Sequence, residues 1–328
     1  MVAKMGNEEQ LPELSAWPGL ELHGLLSEGP RQRLWKARRG VIPLVIHQSQ
    51  RDGAALDWEL QLRVQLGAEG VLSPTVQSTA QGQLREGRVY VEEFVEGSPP
   101  RTRRDAIEVF SSVRRLHQLT GGHLQRPGFL STRALLEADC GGDVDLADIP
   151  QEIRWLLRRT WSLLPARPQS VIHGDLRREN ILIRDGRCVL LDWDESRVDS
   201  PFLDLVDLRG WDSEAGSAVV RAELELAALA WETASSWRLE PTYAERCLRR
   251  LCARFATVAA KLPTYLIRSA MLKSRSTMVC GRENAIFAPG RNWVTGRTVL
   301  VTAGVRVMAA TPDDGRFGVC GSGCEALS

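Results

Sequence analysis

The sequence predicts an α+β protein with two lobes, a small β-rich N-terminal lobe followed by a larger helical C-terminal lobe. Short apolar stretches separated by turn residues dominate residues 20–97. After the Gly-Ser-Pro-Pro run at 97–100, apolar residues recur mostly at helical spacing. The chain has 328 residues, of which 43% are hydrophobic, and is therefore long enough to form two sizeable cores.

The N-terminal elements follow from turn residues and apolar spacing. Residues 22–27, 33–38 and 41–48 are predicted to be strands, because turn residues at 28–30 and 39–40 separate them. Apolar side chains near helical spacing, including Leu56 and Leu60, predict a helix over 54–67 that ends at Gly67. A further strand is predicted over 88–97.

The C-terminal part is predicted to be helical apart from one strand-like island at 170–192. Helices are predicted over 105–119, 150–164, 215–237, 241–261 and 264–280. The first of them should bury one face formed by Ile107, Phe110, Val113, Leu116 and Leu119. The tail at 285–328 is atypical, and its pattern leaves a β-hairpin and a disordered segment as alternatives.

Charge and composition exclude several classes of function. The 42 basic residues nearly balance the 41 acidic ones, so the chain has no overall positive field for nucleic acid or an anionic membrane. No apolar run approaches the roughly 20 residues of a membrane-spanning helix. The seven scattered cysteines lack the spacing of a zinc site, and with no signal-peptide pattern we expect a cytoplasmic protein with reduced thiols.

The strand-like island at 170–192 contains the candidate catalytic and metal-binding residues. Two apolar β runs flank Asp185-Gly186, a dipeptide favoured at hairpin turns, so Asn180 and Asp192 should lie at the two feet of one hairpin. Asp175 precedes the hairpin on a loop. Oxygen-bearing side chains that converge in this way suit Mg²⁺ and the transfer of a phosphoryl group to a hydroxyl.

These residues resemble the aminoglycoside phosphotransferase and choline kinase family. His173-Gly174-Asp175 followed by Asn180 and then Asp192-Trp193 reproduces the family's His-Gly-Asp-x4-Asn and Asp-Trp pattern. Pro201 to Leu205 matches its Pro-x-x-Asp-Leu segment. The resemblance covers about residues 20–280 and implies a protein-kinase-like fold, with a nucleotide-binding lobe at 1–97 and a helical lobe with the catalytic loop and acceptor site at 98–284.

The resemblance also implies roles for individual residues. Asp175 would orient the acceptor hydroxyl, Arg177 would face the transferred phosphate, and Asn180 and Asp192 would hold Mg²⁺. Asp194 would bind a second metal ion, would support the residues that bind the first, or would be an exposed loop acid. The nucleotide, ATP or GTP, would contact a further set of residues: Gly29 in the phosphate-covering turn, His47, Glu59, and Glu93 and Val95 in the hinge strand.

The chain departs from this pattern at the strand lysine that kinases pair with a helix glutamate. Glu59 is the candidate glutamate, but only four of the 42 basic residues are lysines, and Val45 or His47 stands at the lysine position. His47 could be the cation if Glu59 favours its charged form. Lys36 and Arg38 on the preceding strand are alternative cations.

The acceptor is expected to be a small molecule with a hydroxyl group. Eight acidic and two basic residues at 192–214 favour a cationic acceptor such as an aminoglycoside or a related antibiotic. A metabolic alcohol kinase for choline, ethanolamine, homoserine or a sugar is the alternative. The absent lysine also leaves open a non-catalytic nucleotide-binding protein.

Overall fold

The structure, a computed structural model, describes residues 12–208 and 218–259 and four short strands at 278–281, 298–301, 308–310 and 317–319. Its order of elements confirms the predicted α+β class. The N-terminal elements are β1 (Leu20–Glu28), β2 (Gln32–Arg39), β3 (Ile42–Ser49), α1 (Gly53–Ala68), β4 (Val76–Gln77) and β5 (Val89–Glu93). The predicted strands and helix of this region are therefore confirmed, with the last strand shorter than expected.

These strands form one antiparallel sheet in the order β1-β2-β3-β5-β4. Its core contains the fully buried side chains of Trp17, Trp35 and Ile46. The Trp17 indole N–H donates to the carbonyl of Gln77 at 2.9 Å, which attaches the segment before β1 to the far edge strand β4. The register places His47 of β3 opposite Tyr90 of β5.

The elements that follow are mostly helical. They are α2 (Arg103–Leu119), β6 (Cys140–Gly141), β7 (Val144–Asp145), α3 (Gln151–Trp161), β8 (Ser170–Ile172), β9 (Ile181–Arg184), β10 (Arg187–Leu190), β11 (Arg197–Asp199), α4 (Phe202–Asp207), α5 (Ala218–Ser235) and α6 (Pro241–Ala259). The predicted face of α2 was wrong at its ends. Ile107 and Leu119 are exposed, whereas Ala106 and Val109 are buried.

The island forms the predicted hairpin of β9 and β10. Asp185 and Gly186 have φ of 52° and 74°, as a two-residue turn with both residues in the left-handed region requires. The hairpin also binds the segment after β5, because Ser98 and Ile183 exchange two backbone hydrogen bonds of 3.1 and 2.8 Å. The hairpin is thereby fixed beside the sheet.

The C-terminal strands pair in two antiparallel hairpins. Strand β12 (Met278–Gly281) pairs with β13 (Thr298–Val301), and β14 (Met308–Ala310) pairs with β15 (Phe317–Val319). The predicted helix over 264–280 was wrong at residues 278–280, and its remainder lies outside the described residues. β-branched residues such as Val279, Val299 and Val301 favour the strand.

The chain divides into two compact units. The first unit consists of Met1–Asp143 and Leu164–Leu224, and the second consists of Val144–Leu163 and Glu225–Ser328. Every residue of the site described below belongs to the first unit. Within the described part of the chain, no helix is both long and apolar enough to cross a membrane.

Candidate active site

The loop that carries Asp175 is held by its neighbours' backbone. Asp204 of α4 accepts hydrogen bonds from the backbone N–H groups of His173 at 3.0 Å and Gly174 at 2.9 Å. Gly174 has φ of 87°, and a Cβ there would lie 2.6 Å from the carbonyl oxygen of Glu195. Only glycine therefore fits before Asp175 without movement of the chain.

The imidazole of His173 contacts backbone and is fully buried. Its Nε2 lies 2.8 Å from the carbonyl oxygen of Leu191, at the start of the turn to Asp192. Asp204 is also buried, and burial alone would raise its pKa, but the hydrogen bond from His117 and the nearby imidazoles lower it. An ionised Asp204 thus holds the loop at His173 and Gly174 in place.

Asp175 is paired with Arg177 and Asn180. Arg177 donates from Nε and Nη2 to the two carboxylate oxygens of Asp175, each at 2.6 Å. Asn180 donates from Nδ2 to Oδ2 of Asp175 at 2.9 Å and to its carbonyl at 3.0 Å. The carboxylate is buried, whereas the Arg177 side chain is 57% exposed. The three predicted loop residues therefore form one cluster.

The hairpin brings Asp192 to Asn180. The backbone N–H of Leu191 donates to the carbonyl of Asn180 at 2.9 Å, which places the two feet of the hairpin side by side. Asp192 itself has φ of 56°, a left-handed conformation that costs a non-glycine residue strain energy. Backbone strain of this kind clusters at functional positions.

The surroundings of Asp192 disfavour its negative charge. Its pKa is raised, first by the protein atoms that displace water from the carboxylate and then by the carboxylates of Asp194 and Asp175. A cation would relieve this repulsion. Asp192 also accepts a hydrogen bond from Nε2 of Gln32 at 3.1 Å.

Asn180 and Asp192 fit Mg²⁺ that arrives with a nucleotide. They offer amide and carboxylate oxygens, the donors that Mg²⁺ prefers. Among the residues that the structure describes, no group of three or more His, Cys, Asp or Glu side chains could hold a metal alone.

Asp194 is engaged by an arginine. Arg51, just after β3, donates to its two carboxylate oxygens at 2.9 and 2.8 Å and also binds Asp143. Arg31 joins this cluster by contacting Asp143 at 2.8 Å and Glu195 at 3.1 Å. Both oxygens of Asp194 are thus used to position the loop after Asp192, and the exposed-acid role predicted for Asp194 was wrong.

His47, one of the two candidates for the position of the strand lysine, does not pair with Glu59. Its Nε2 lies 2.9 Å from Glu92 of β5, and its Nδ1 lies 3.0 Å from Oε1 of Gln32. Val45 is a buried apolar side chain on the same strand. The predicted pairing of His47 with Glu59 was wrong, because the strand register brings Glu92 nearer.

The role of the alternative cations on β2 stays a prediction. Lys36 and Arg38 are both exposed, and Arg38 donates to Glu21 on β1 at 2.8 Å. Strand pairing places Lys36 opposite Val45, on the face of the sheet that also carries His47.

Glu59 pairs with arginines. Arg126 donates to Glu59 at 2.8 Å, and Arg63 lies 3.6 Å away one helical turn along α1. Arg126 is fully buried and also donates to the carbonyls of Asp194 at 2.8 Å and Ser196 at 3.1 Å. It thereby connects helix α1 to the loop after Asp192.

Sequence reasoning missed Arg126, Arg51 and Gln32. One signal for Arg126 was available, because Glu59 lies between the apolar residues Leu56 and Leu60 and a buried carboxylate requires a partner. Nothing in the sequence distinguishes the partner among 38 arginines.

The phosphate-covering turn and the hinge strand lie at opposite ends of the sheet's inner strands. The N–H of Gly29 donates to the carbonyl of Gln32 at 2.9 Å and closes the β1–β2 turn. In the hinge, the Glu93 side chain binds Arg184 at 2.7 Å, and its N–H donates to Thr75 at 3.0 Å. Within the described residues the N–H of Val95 forms no backbone hydrogen bond.

Four of the eight acidic residues at 192–214 contact a basic residue. Asp194, Glu195, Asp199 and Asp204 each contact a basic partner, respectively Arg51, Arg31, Arg197 and His117. Asp212 and Glu214 lie outside the described residues. These four carboxylates therefore build the loop and give no support to a cation-attracting pocket.

A family profile described as "Phosphotransferase enzyme family" matches residues 33–238, more than half of the chain. The chain belongs to this family. The predicted resemblance is thereby confirmed, and the chain is a phosphotransferase that acts on hydroxyl groups. No curated protein matches the chain in sequence.

Solved structures share the protein-kinase-like fold of this phosphotransferase. A microcompartment-associated aminopropanol kinase is 17% identical, with a TM-score of 0.53 over 75% of this chain and 94% of that one. An aminoglycoside phosphotransferase is 14% identical, with a TM-score of 0.52 over 76% and 97%. An amicoumacin kinase, solved with AMP-PNP, Ca²⁺ and its antibiotic, is 14% identical, with a TM-score of 0.50 over 74% and 89%.

Proposed function

We propose that this phosphotransferase transfers the γ-phosphoryl group of ATP or GTP to a hydroxyl of an amine-bearing small molecule, an aminoglycoside or a related antibiotic. The observation that carries the proposal is the cluster of Asp175, Asn180 and Asp192 around one hairpin. It combines a carboxylate that can accept a hydroxyl proton with two oxygen ligands for a nucleotide-bound cation.

Asp175 acts on the acceptor. Its carboxylate is buried and fixed by Asn180, so it can accept a hydrogen bond from the acceptor hydroxyl and take its proton as the new P–O bond forms. Arg177 is exposed enough to turn from Asp175 toward the phosphoryl group, where its guanidinium would stabilise the developing negative charge.

Asn180 and Asp192 hold Mg²⁺ in this proposal. When bound, Mg²⁺ would neutralise charge on the nucleotide phosphates. The strained Asp192 and its raised pKa are consistent with a carboxylate fixed in advance for a cation. The Arg51 and Arg126 contacts keep the loop after Asp192 in place.

The nucleotide lies between the N-terminal sheet and the hairpin in this proposal. Residues 1–97 form the nucleotide-binding lobe and residues 98–284 the acceptor lobe, with 285–328 as an added tail. The free N–H of Val95 and the carbonyl of Glu93 would bind the base, and Gly29 would cover the phosphates. Glu59 would act only through its arginines. A cytoplasmic location is part of the proposal, since nucleoside triphosphate is abundant there.

The choice of acceptor class rests on the similar folds, since four acidic residues of the stretch at 192–214 already contact basic partners. The named substrates of the similar kinases, an aminoglycoside, amicoumacin and aminopropanol, carry amines as well as hydroxyls. The similarity to an aminopropanol kinase favours the second candidate, a metabolic alcohol kinase for choline, ethanolamine, homoserine or a sugar.

The test is an ADP-release assay over a panel of aminoglycosides, other hydroxyl-bearing antibiotics and these metabolic alcohols, with ATP and GTP compared. We expect turnover with an antibiotic and a loss of about 10²- to 10⁴-fold in Asp175→Ala. Turnover that survives Asp175→Ala contradicts the mechanism. Nucleotide binding with no turnover on any acceptor would favour a non-catalytic protein, which the absence of the strand lysine also suggests.

A further inference from the structure

A carboxylate outside the catalytic loop connects two segments of the N-terminal sheet. One oxygen of Asp143, which follows β6, accepts from Nε of Arg31 and from Nη2 of Arg51, each at 2.8 Å, and its other oxygen accepts from Nη1 of Arg51. Arg31 lies in the β1–β2 turn, and Arg51 follows β3. All three side chains are mostly buried. Asp143 therefore bridges the turn and the end of β3 where little water competes for its hydrogen bonds.

The backbone before Asp143 allows this approach. Gly142 has φ of 63°, and a Cβ there would lie 2.9 Å from a ring carbon of Phe129. Its N–H donates to the carbonyl of Gly128 at 2.6 Å. A larger residue would push the loop away from Phe129, over whose ring the guanidinium of Arg51 lies 5.0 Å from the centroid. Glycine therefore lets Asp143 and Arg51 meet beside the same aromatic ring.

Each arginine also binds the loop between β10 and β11. Arg31 contacts Glu195 at 3.1 Å, and Arg51 donates to both carboxylate oxygens of Asp194. Asp143 is thus the shared acceptor of two arginines that each hold a second carboxylate. Burial would raise the pKa of Asp143, but the hydrogen bond and charge of Arg51 and then the charge of Arg31 lower it, so the bridging carboxylate is ionised.

We propose that Asp143 is a positioning residue of the phosphotransfer reaction, a latch that fastens the β1–β2 turn to the loop after β10 through Arg31 and Arg51. This inference rests on the proposed function, in which that turn covers the nucleotide phosphates. Opening the latch parts Arg31 from two carboxylates in mostly buried surroundings, which opposes the movement. Nucleotide enters and leaves only when the latch opens, so the latch controls both rates while leaving the affinity nearly unchanged.

Stopped-flow exchange of a fluorescent mant derivative of ADP or GDP tests the latch. Arg31→Gln removes the arm to the turn, and Arg33→Gln, which removes an ion pair with Glu28 at the same turn, is the control. We expect Arg31→Gln to raise the rate constants of association and dissociation by about tenfold or more, with Kd within about twofold of wild type, while the control matches wild type. Unchanged rates overturn the inference. Faster dissociation alone, with an equal loss of affinity, also overturns it, because Arg31 would then only support bound nucleotide.

Hydrogen exchange tests the latch without nucleotide or activity. Asp143→Asn keeps the shape of the side chain, and Asp139→Asn makes the same change at an exposed position of the same loop as a control. We expect the amides of residues 28–32 to exchange about tenfold faster or more in Asp143→Asn, while β3 and β5 keep wild-type exchange. Unchanged exchange at the turn, or faster exchange throughout the sheet, overturns the inference. Wild type that binds neither nucleotide would overturn the proposed function itself, whereas normal binding with unchanged rates in Arg31→Gln would overturn only this inference.

Discussion

Arg177 and Asp175 form a two-armed ion pair in which each carboxylate oxygen accepts one N–H at 2.6 Å. Parallel hydrogen bonds of this kind are the strongest that a guanidinium makes. Because Arg177 is more than half exposed, water competes for it and the pair can open when phosphate arrives. In the proposed function, the pair holds Asp175 until a nucleotide phosphate offers Arg177 another anion.

We predict that Arg177→Ala lowers kcat by about 10²- to 10³-fold, because the transferred phosphoryl group loses a cation. MgATP affinity should change much less, since Arg177 binds charge that develops during transfer. Steady-state kinetics with calorimetric nucleotide binding checks this, and Arg114→Ala, an exposed arginine of α2, is the control. A kcat equal to or above that of wild type would show that Arg177 only blocks Asp175.

We predict that Arg126→Met destabilises the protein by about 3–5 kcal/mol, because Glu59 would be left buried without its closest cation. The carbonyls of Asp194 and Ser196 would lose a donor as well. Urea unfolding measures the change. Arg114→Met at an exposed site should stay within about 0.5 kcal/mol of wild type. A loss below about 1 kcal/mol for Arg126→Met would mean that the loop relaxes around the gap.

We predict that Gly174→Ala costs more stability than Gly186→Ala, although both glycines have positive φ. A Cβ at Gly174 would lie 2.6 Å from the carbonyl of Glu195, whereas nothing lies within 4 Å of one at Gly186. Gly186→Ala should cost about 1–2 kcal/mol for its backbone conformation alone. Gly174→Ala should cost more and reduce kcat, as thermal unfolding and kinetics would measure. Equal costs would contradict the steric argument.

We predict that the stability conferred by Glu92 is lost on acidification. Its pKa is about 2 in the folded protein against an ordinary value of 4.5, so its contribution is complete above pH 4.5 and declines as pH falls toward 2. This contribution is on the order of 3 kcal/mol. Glu92→Gln should be less stable than wild type at pH 7 and nearly equal to it near pH 2. A difference that stays constant with pH would contradict the ion pairs of Glu92.

Local signals made much of this fold and site predictable. Turn residues defined the strands of the sheet, and Asp185-Gly186 located the hairpin that brings Asn180 to Asp192. The spacing around Asp175 was sufficient to identify the family. These features depend on neighbours within about twenty residues, so the local sequence is enough to predict them.

Partners from distant parts of the chain were not predictable. Arg126 reaches Glu59 across 67 positions, and Gln32 reaches Asp192 across 160. His47 was expected to pair with Glu59, but sheet register brought it Glu92. The buried face of α2 was misjudged at its ends, where Ala106 is buried and the larger Ile107 is exposed.

The two hydrogen bonds between Ser98 and Ile183 limit how the lobes can open. They fasten the chain to the hairpin immediately after the hinge strand, and a Cβ at Gly97 would already lie 3.1 Å from Ile183. Rotation between sheet and hairpin must therefore be absorbed by the few residues at 94–97. In the proposed function these residues join the two walls of the nucleotide site, so a proline introduced at 95 or 96 should alter the rate at which nucleotide is exchanged.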